Sequence, residues 1–250
     1  MNAAVAAPAP FLPTDLADLC TPLQHDGFAF VAAAAMRAVL QAHGLERWSE
    51  FAASWDELGL DTYMADGGRY RRRRHGAYGV GADGIVRKPR QPHYQSRDYN
   101  PLNGGIERWF EPITEAMALH PALLAVLRTG QRIFDCLTPV AVRPPAWHVE
   151  VHQFRVQAQM AQAGLPTPEG VHRDGVDWVL VLLVARHGVK SGVTTIHDGQ
   201  RRPIGRFVLT DPFDTALVDD ARVFHGVTPI TPLDAHLEGR RDVLVVTFRR

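Results

Sequence analysis

A His-x-Asp pair, His172 and Asp174, stands shortly before the apolar run from Val179 to Val184. Residues two apart in an extended chain point to the same face, so this imidazole and this carboxylate can converge on one point. The pair lies in a glycine-punctuated turn that opens a strand, where a loop offers polar ligands and the strand holds them in place. The segment therefore predicts a β-rich fold and two of the ligands of a metal site.

A third ligand has to come from elsewhere in the fold, and His225, in the strand-like run from Ala221 to Val227, is the best candidate. Two histidines and one carboxylate form the facial triad that leaves positions open on a non-haem Fe(II). His172 could instead be a turn residue and Asp174 an Asx-turn residue, and His225 could be a core histidine. Such ligands also suit other divalent metals, and affinity alone would favour copper or zinc. Competing histidines are His148, His152, His187 and His197.

The motifs around these residues, in their order along the chain, resemble the bacterial family of Fe(II)- and 2-oxoglutarate-dependent dioxygenases that contains the free L-isoleucine hydroxylases. The resemblance extends from about Tyr70 to the C-terminus. It implies Fe(II) held by the catalytic residues His172, Asp174 and His225, with 2-oxoglutarate as co-substrate and O2 as oxidant. The matching segments are Tyr94–Arg108, His152–Arg155, Glu169–Gly175, His225–Ile230 and Arg241–Val245.

The resemblance also implies an arginine for the distal carboxylate of 2-oxoglutarate. A guanidinium binds a carboxylate through two parallel hydrogen bonds. We assign this contact to Arg241, because it precedes the last strand and matches the Arg-Asp-Val pattern of the family. Its neighbour Arg240 is the rival for the same contact.

Substrate contacts are predicted in a polar loop and in the strand before the His-x-Asp pair. The loop from Tyr94 to Gly105 has no apolar period, and long polar loops in compact domains are usually lids or binding segments. The predicted reaction is hydroxylation of an aliphatic carbon of a small substrate, a free L-amino acid. An arginine of the 69–74 run could also meet its carboxylate, and Asp98 or Glu150 its ammonium group. The predicted substrate-binding residues are Tyr94, Gln95, Asn100, His152, Gln153 and Arg155.

Composition and charge argue against several classes of protein. A formal net charge of zero gives no general attraction to nucleic acid or to an anionic membrane, so we expect neither partner. No apolar run approaches the roughly 20 residues that span a bilayer. The two cysteines, Cys20 and Cys136, have neither metal-ligand spacing nor the number that a disulfide framework needs. We therefore expect a soluble cytoplasmic protein.

The periodicity predicts a mainly β fold with α additions. Short strands without a βαβ rhythm suggest a double-stranded β-helix, the jelly roll or cupin-like core, with N-terminal and flanking helices. A hairpin turns at Asp83-Gly84. Predicted helices are Ala32–His43, Glu46–Leu58, Ile106–Leu119 and Pro121–Leu137, and predicted strands are Trp147–Ala158, Asp177–Ala185, Gly192–His197, Arg206–Thr210, Ala216–Phe224 and Arg241–Arg249.

We predict a flexible tail at 1–13 and one dioxygenase domain at 14–250, with a helical and hairpin subregion at 14–146 and the jelly-roll core at 147–250. Two other functions stay open. A cupin-like metalloenzyme would use the triad without 2-oxoglutarate, and a sensor would bind a metal or ligand without turnover. The complete triad argues against the sensor. The exposed helical layer leaves a homodimer open.

Overall fold

The computed structural model describes residues 16–250, so the predicted tail lies outside the described residues. The fold is mainly β with helices on one face, as predicted. The helices are α1 Leu16–Asp26, α2 Ala33–Ala42, α3 Trp48–Ala53, α4 Glu115–Ala118 and α5 Pro121–Leu137, with 3-10 turns at Ser54–Glu57 and Val140–Val142. None of the helices between residues 16 and 250 combines the length and the apolar character that crossing a bilayer requires.

Twelve strands form three antiparallel sheets in the described chain. The major sheet has the order β1-β9-β5-β12-β4-β2-β3, the minor sheet has the order β10-β7-β8, and β11 pairs with β6. The strands are β1 Phe28–Val31, β2 Arg71–Gly81, β3 Gly84–Arg87, β4 Ala146–Ala158, β5 Trp178–His187, β6 Val189–Ser191, β7 Val193–His197, β8 Pro203–Val208, β9 Thr215–Asp219, β10 Phe224–Val227, β11 Ile230–Pro232 and β12 Gly239–Arg249.

The alternation of side chains divides the major sheet into an outer and an inner face. In β5, Leu180 and Leu182 belong to the apolar cluster that the helices cover, whereas Val179 and Leu183 belong to the cluster shared with the minor sheet. A strand that is apolar on both faces must be covered on both, which explains the continuous apolar run of β5. The inner face is the one that can line a site between the sheets.

Helix α5 holds the outer face of the major sheet. Pro121 occupies the first turn, where backbone N–H groups have no partner within the helix, so the N–H that proline lacks is not missed. The side chain of His120 accepts a hydrogen bond from the backbone N–H of Ala122 in the same turn. A Cβ added to Gly130 would lie 2.7 Å from the ring of Phe248 on β12. The helix therefore approaches the sheet as closely as only a glycine allows.

Three sequence predictions need correction. The helix predicted at Ile106–Leu119 is helical only in α4, because its first part pairs with sheet residues instead: Arg108 bridges His93, and Ile113 donates to the carbonyl of His75. The strand predicted at Ala216–Phe224 ends in a turn before His225, which lies on β10 of the minor sheet. The boundary at 146/147 does not separate the sheet from the preceding chain, since β1, β2 and β3 join the major sheet.

Candidate active site

A cavity of about 340 Å³ lies between the inner faces of the major and minor sheets. Strands β4, β5 and β12 contribute its wall from the major sheet, and the loop that follows His93 covers part of it. His172, Asp174 and His225 all line this cavity. The three ligands predicted from the sequence are thus brought to one place by different parts of the chain.

The backbone itself holds the two histidines side by side. His172 and His225 exchange two backbone hydrogen bonds of 2.9 Å, and their ring centroids are 4.6 Å apart. The carboxylate of Asp174 lies between the rings, with Oδ1 3.6 Å from His172 Nε2 and Oδ2 3.5 Å from His225 Nε2. One ligand atom from each residue falls within 4.8 Å of the other two, which suits a metal bound at about 2.1 Å from each.

The hydrogen bonds of His172 orient it as a ligand. Its Nδ1 lies 3.0 Å from the carbonyl oxygen of Gly170, so Nδ1 carries the proton and Nε2 can offer a lone pair to a metal.

Burial lowers the pKa of His172, but the carboxylates of Asp174 and Glu169 outweigh it and raise that pKa to about 9. Burial lowers the pKa of His225 to about 4. The carboxylates of Asp174 and Glu169 thus favour positive charge at this centre, which a divalent metal would supply.

Asp220 fixes the turn that presents Asp174, and nothing in the motif reasoning had selected it. Its carboxylate accepts backbone N–H bonds from Asp174, Gly175 and Val176 at 2.7 to 3.1 Å. Burial and the nearby charge of Asp174 raise the pKa of Asp220 to about 7. Gly175 has a φ of +80°, and a Cβ there would lie 2.7 Å from the ring of Tyr99. Glycine after the aspartate is thus required by backbone conformation and by space.

The two neighbouring arginines before the last strand have opposite surroundings. Arg241 faces the cavity from β12 and is 2% exposed, yet it makes no hydrogen bond or ion pair with any described residue. Burial, and secondarily the charge of Arg186, lowers the pKa of Arg241 to about 10. The side chain of Arg240 is 40% exposed on the other face, 3.6 Å from Asp242 and 3.9 Å from Asp56. Of these two arginines, Arg241 is the one that can meet a ligand in the cavity.

Four of the six predicted substrate contacts line the cavity: Tyr94, Gln95, Asn100 and His152. Gln95 lies against the metal ligands, because its Nε2 donates to Asp174 Oδ1 at 3.1 Å. Its Oε1 accepts from Asn100 at 3.2 Å and from Arg108 at 2.9 Å. Tyr94 is 57% exposed at the edge of the cavity.

Gln153 and Arg155, the other two predicted substrate contacts, lie on the outer face of β4 and do not line the cavity. Gln153 donates to Ser54 at 2.9 Å, and Arg155 forms two 2.8 Å hydrogen bonds with Asp242. Strand alternation is the reason: when His152 faces inward, 153 and 155 must face outward. Asp98, one of the two proposed ammonium partners, is exposed in the loop, whereas Glu150 lines the cavity.

A second cluster, formed by His75, His93, Glu150 and His152, also has metal-ligand residue types. Arg73 Nη2 donates to His152 Nδ1 at 2.6 Å. Because a guanidinium has no acceptor, His152 must carry its proton on Nε2, the atom that faces Glu150. That tautomer offers no lone pair towards the cluster, and a buried cation stands next to it. The cluster therefore presents N–H groups to a carboxylate and is less suited to a metal than the group of His172, Asp174 and His225.

Three buried arginines, Arg71, Arg73 and Arg108, form the polar end of the cavity, and Asp61 lies within ion-pair distance of the first two. Asp61 lies 2.8 Å from Arg71 Nε and 3.5 Å from Arg73 Nη1. Arg108 donates a hydrogen bond to the neutral Gln95, and its Nε has no partner among the described residues. Burial lowers the pKa of both Arg73 and Arg108. Sequence analysis had named the 69–74 run, but Arg108 becomes a site residue only through the bridge to His93.

The model of the 2OG-Fe dioxygenase family matches residues 52–247. The L-isoleucine-4-hydroxylase of Bacillus thuringiensis is 28% identical over 157 residues, which cover 62% of this chain and 64% of that protein. The 3(1)-hydroxy-L-isoleucine 4-dioxygenase of Pantoea ananatis is 23% identical over 93% of this chain and 96% of that protein.

Among solved structures, a bsmA homolog from Methylobium petroleophilum superimposes with a TM-score of 0.85 at 34% identity, covering 98% of this chain and 96% of that one. The fold is also that of Fe(II)/2-oxoglutarate oxygenases of known structure, which confirms the predicted double-stranded β-helix core. The chain therefore belongs to the 2OG-Fe dioxygenase family and is an oxygenase that uses Fe(II) and 2-oxoglutarate.

Proposed function

We propose that this enzyme hydroxylates an aliphatic carbon of a free L-amino acid. The observation that carries the proposal is the polar end of the cavity, where three guanidinium groups, those of Arg71, Arg73 and Arg108, are buried and Asp61 forms ion pairs with the first two alone. Buried charges need partners, so this excess of positive charge favours a ligand carboxylate. The names of both curated relatives, each an isoleucine or hydroxyisoleucine enzyme, support the same substrate class.

Separate groups of residues would bind the iron, 2-oxoglutarate and the substrate. His172, Asp174 and His225 would hold the iron, and Arg241 would pair with the distal carboxylate of 2-oxoglutarate. With Fe(II) and 2-oxoglutarate bound, O2 would supply one oxygen atom to convert a substrate C–H bond to C–OH and the other to the succinate that forms as 2-oxoglutarate loses carbon dioxide. The buried arginines would bind the substrate carboxylate and so fix which carbon lies beside the metal.

The apolar part of the cavity wall suits an aliphatic side chain. It includes inward-facing residues of β4, β5 and β12 in the major sheet: Phe154, Val156, Val179, Val181 and Val245. These side chains exclude water from the reacting C–H bond and contribute no hydrogen-bonding group that would favour a polar side chain. A small substrate with one charged end and one apolar end fits both halves of the cavity.

The test is a screen of L-amino acids with Fe(II), 2-oxoglutarate and O2, in which succinate and oxygenated product are both quantified. We expect at least one aliphatic L-amino acid to gain one oxygen atom, with succinate formed in equal amount. Turnover of 2-oxoglutarate without any hydroxylated amino acid across a broad panel would contradict the proposal and leave the family assignment intact.

A further inference from the structure

Glu169 carries a buried carboxylate that the chain leaves incompletely partnered. Its side chain is 9% exposed and lines the cavity. Its Oε2 has no hydrogen-bond partner among the described residues. Its one ion-pair contact within 4.0 Å is His172 Nε2, at 3.4 Å. A buried carboxylate oxygen without a hydrogen bond is energetically unfavourable, so Glu169 requires a hydrogen-bond donor.

Binding of iron to His172 Nε2 would remove the ion-pair contact between that nitrogen and Glu169. His172 Nδ1 bonds to the carbonyl oxygen of Gly170, so Nε2 is the atom left for a metal. A nitrogen that donates its lone pair to a metal carries no proton and cannot also donate to a carboxylate. In the loaded enzyme Glu169 would therefore face the cavity with no donor from this chain.

Glu169 stands beside the metal group and outside it. The ligand atoms that converge within 4.8 Å belong to His172, Asp174 and His225. The two positive charges of Fe(II) are matched by Asp174 and by the chelating carboxylate of 2-oxoglutarate, and the distal carboxylate of 2-oxoglutarate would be matched by Arg241. Glu169 is not needed to balance the charge of the metal centre, so its carboxylate is available to a cationic group of the substrate.

The other carboxylates of the cavity are accounted for. Three acidic residues line it: Glu150, Glu169 and Asp174. Asp174 is the metal ligand, and Glu150 accepts from His93 Nδ1 at 2.5 Å with further imidazoles 3.7 to 3.8 Å away. Arg108 is close enough to Glu169 for their charges to interact, but the two form no ion pair within 4.0 Å. The space between a carboxylate and a guanidinium suits the two charged groups of an amino acid.

We propose that Glu169 receives the ammonium group of the substrate and selects for a free amine. This inference rests on the proposed function, because it presumes a substrate carboxylate at the arginine end of the cavity. A substrate with both groups would complete Glu169 and the arginines together. An acid that lacks the amine, or an N-acylated amino acid, would leave Glu169 buried and unpartnered and is rejected for that reason.

The test is equilibrium binding to the anaerobic enzyme loaded with Fe(II) and 2-oxoglutarate, where no turnover occurs. The ligands are the aliphatic L-amino acid with the highest turnover in the substrate screen and the same acid without its amino group. We expect the parent to prefer the amino acid, and Glu169→Gln to weaken its binding at least about thirtyfold. Binding of the deaminated acid should change less than about threefold in the variant. Glu150→Gln, which alters the cavity carboxylate that is already bound by His93, is the matched control and should keep most of the preference.

Several results would overturn the inference. Glu169→Gln could bind the amino acid as tightly as the parent, or Glu150→Gln alone could abolish the preference. Loss of the visible Fe(II)–2-oxoglutarate absorption in Glu169→Gln would show that Glu169 is a metal ligand. If Glu169→Gln does not fold, equal binding of both ligands by the parent is itself decisive against the inference. A parent that turns over no amino acid would overturn the proposed function and this inference with it, whereas turnover combined with any of these results removes the inference alone.

Discussion

The neighbouring residues Arg240 and Arg241 show how surroundings decide the role of a charge. Both precede the apolar core of β12, and alternation sends them to opposite faces. Arg240 is half exposed between two aspartates, whereas Arg241 is buried against the cavity without an acidic partner within ion-pair distance in the described chain. A buried guanidinium that lacks an anion is costly, and an anionic co-substrate relieves that cost.

We therefore predict that Arg241→Gln raises the KM for 2-oxoglutarate at least about thirtyfold, because one partner of a buried charge pair is lost. Arg240→Gln, the matched control, should change it less than about threefold. Steady-state kinetics of succinate formation at varied 2-oxoglutarate concentration measures both. Equal effects in the two variants, or the larger effect in Arg240→Gln, would reverse the assignment.

The arrangement of site residues that are close in sequence could be predicted, whereas contacts between residues distant in sequence could not. His172 and Asp174 are two residues apart in one segment, so their convergence follows from backbone geometry alone. Alternation also forbids His152 and Gln153 from sharing a face, but the sequence does not say which of them faces inward. Glu169 lies three residues before His172 in the same segment, but the sequence does not reveal that its carboxylate is buried and incompletely hydrogen-bonded. Its role could therefore not be predicted.

At the scale of elements, the contact between α5 and β12 is set by Gly130. Replacing glycine by alanine inside a helix usually stabilises it by about 1 kcal/mol. Here the added Cβ would meet the buried ring of Phe248, which is packed between Phe134 and Trp147 and has little room to move.

We predict that Gly130→Ala lowers the free energy of unfolding by about 1 to 3 kcal/mol, because overpacking outweighs the gain in helix propensity. Gln131→Ala, next to it on the same helix, should stay within about 0.5 kcal/mol of the parent. Urea denaturation followed by circular dichroism measures both variants. A more stable Gly130→Ala protein would show that the helix can shift away from the sheet without loss.

Helix prediction succeeded where start signals and packing agree. Helix α5 has the predicted bounds because Pro121 fits its first turn and its apolar residues recur on one face. The segment from Ile106 to Ile113 has a helix-like pattern of apolar residues, but backbone partners in β2 and at His93 compete for its N–H and C=O groups. Such partners are distant in sequence, so local periodicity cannot reveal them.

At the scale of the whole molecule, buried histidines should make the fold sensitive to acid. Burial lowers the pKa of His75 to about 3, and the pKa values of His93 and His152 are also lowered by burial. The charges that face His75 are Glu150, which opposes the shift, and Arg73 with the imidazoles of His93 and His148, which add to it. A histidine whose pKa is lowered on folding takes up its proton in the unfolded chain first. Its stabilising contribution is therefore complete above about pH 6.5 and is lost as the pH falls towards 3.

We predict that His75 alone accounts for a loss of about 1 kcal/mol of stability between about pH 7.5 and about pH 5.5. His75→Gln should remove that part of the pH dependence, while His236→Gln, a change of an exposed histidine, should keep the slope of the parent. Urea unfolding of the metal-free proteins at both pH values gives the slopes. An unchanged slope in His75→Gln would mean that His75 does not stay neutral in the folded protein.

The central claim is that His172, Asp174 and His225 bind Fe(II) in a cavity that also takes 2-oxoglutarate. The most direct measurement is the visible charge-transfer absorption formed when anaerobic protein receives Fe(II) and 2-oxoglutarate, in the parent, His225→Ala and the cavity control His148→Ala. We predict the band in the parent and in His148→Ala and its loss in His225→Ala. A folded, iron-loaded parent without the band, or a His225→Ala protein that keeps it, would show that these residues do not form the predicted Fe(II)–2-oxoglutarate site.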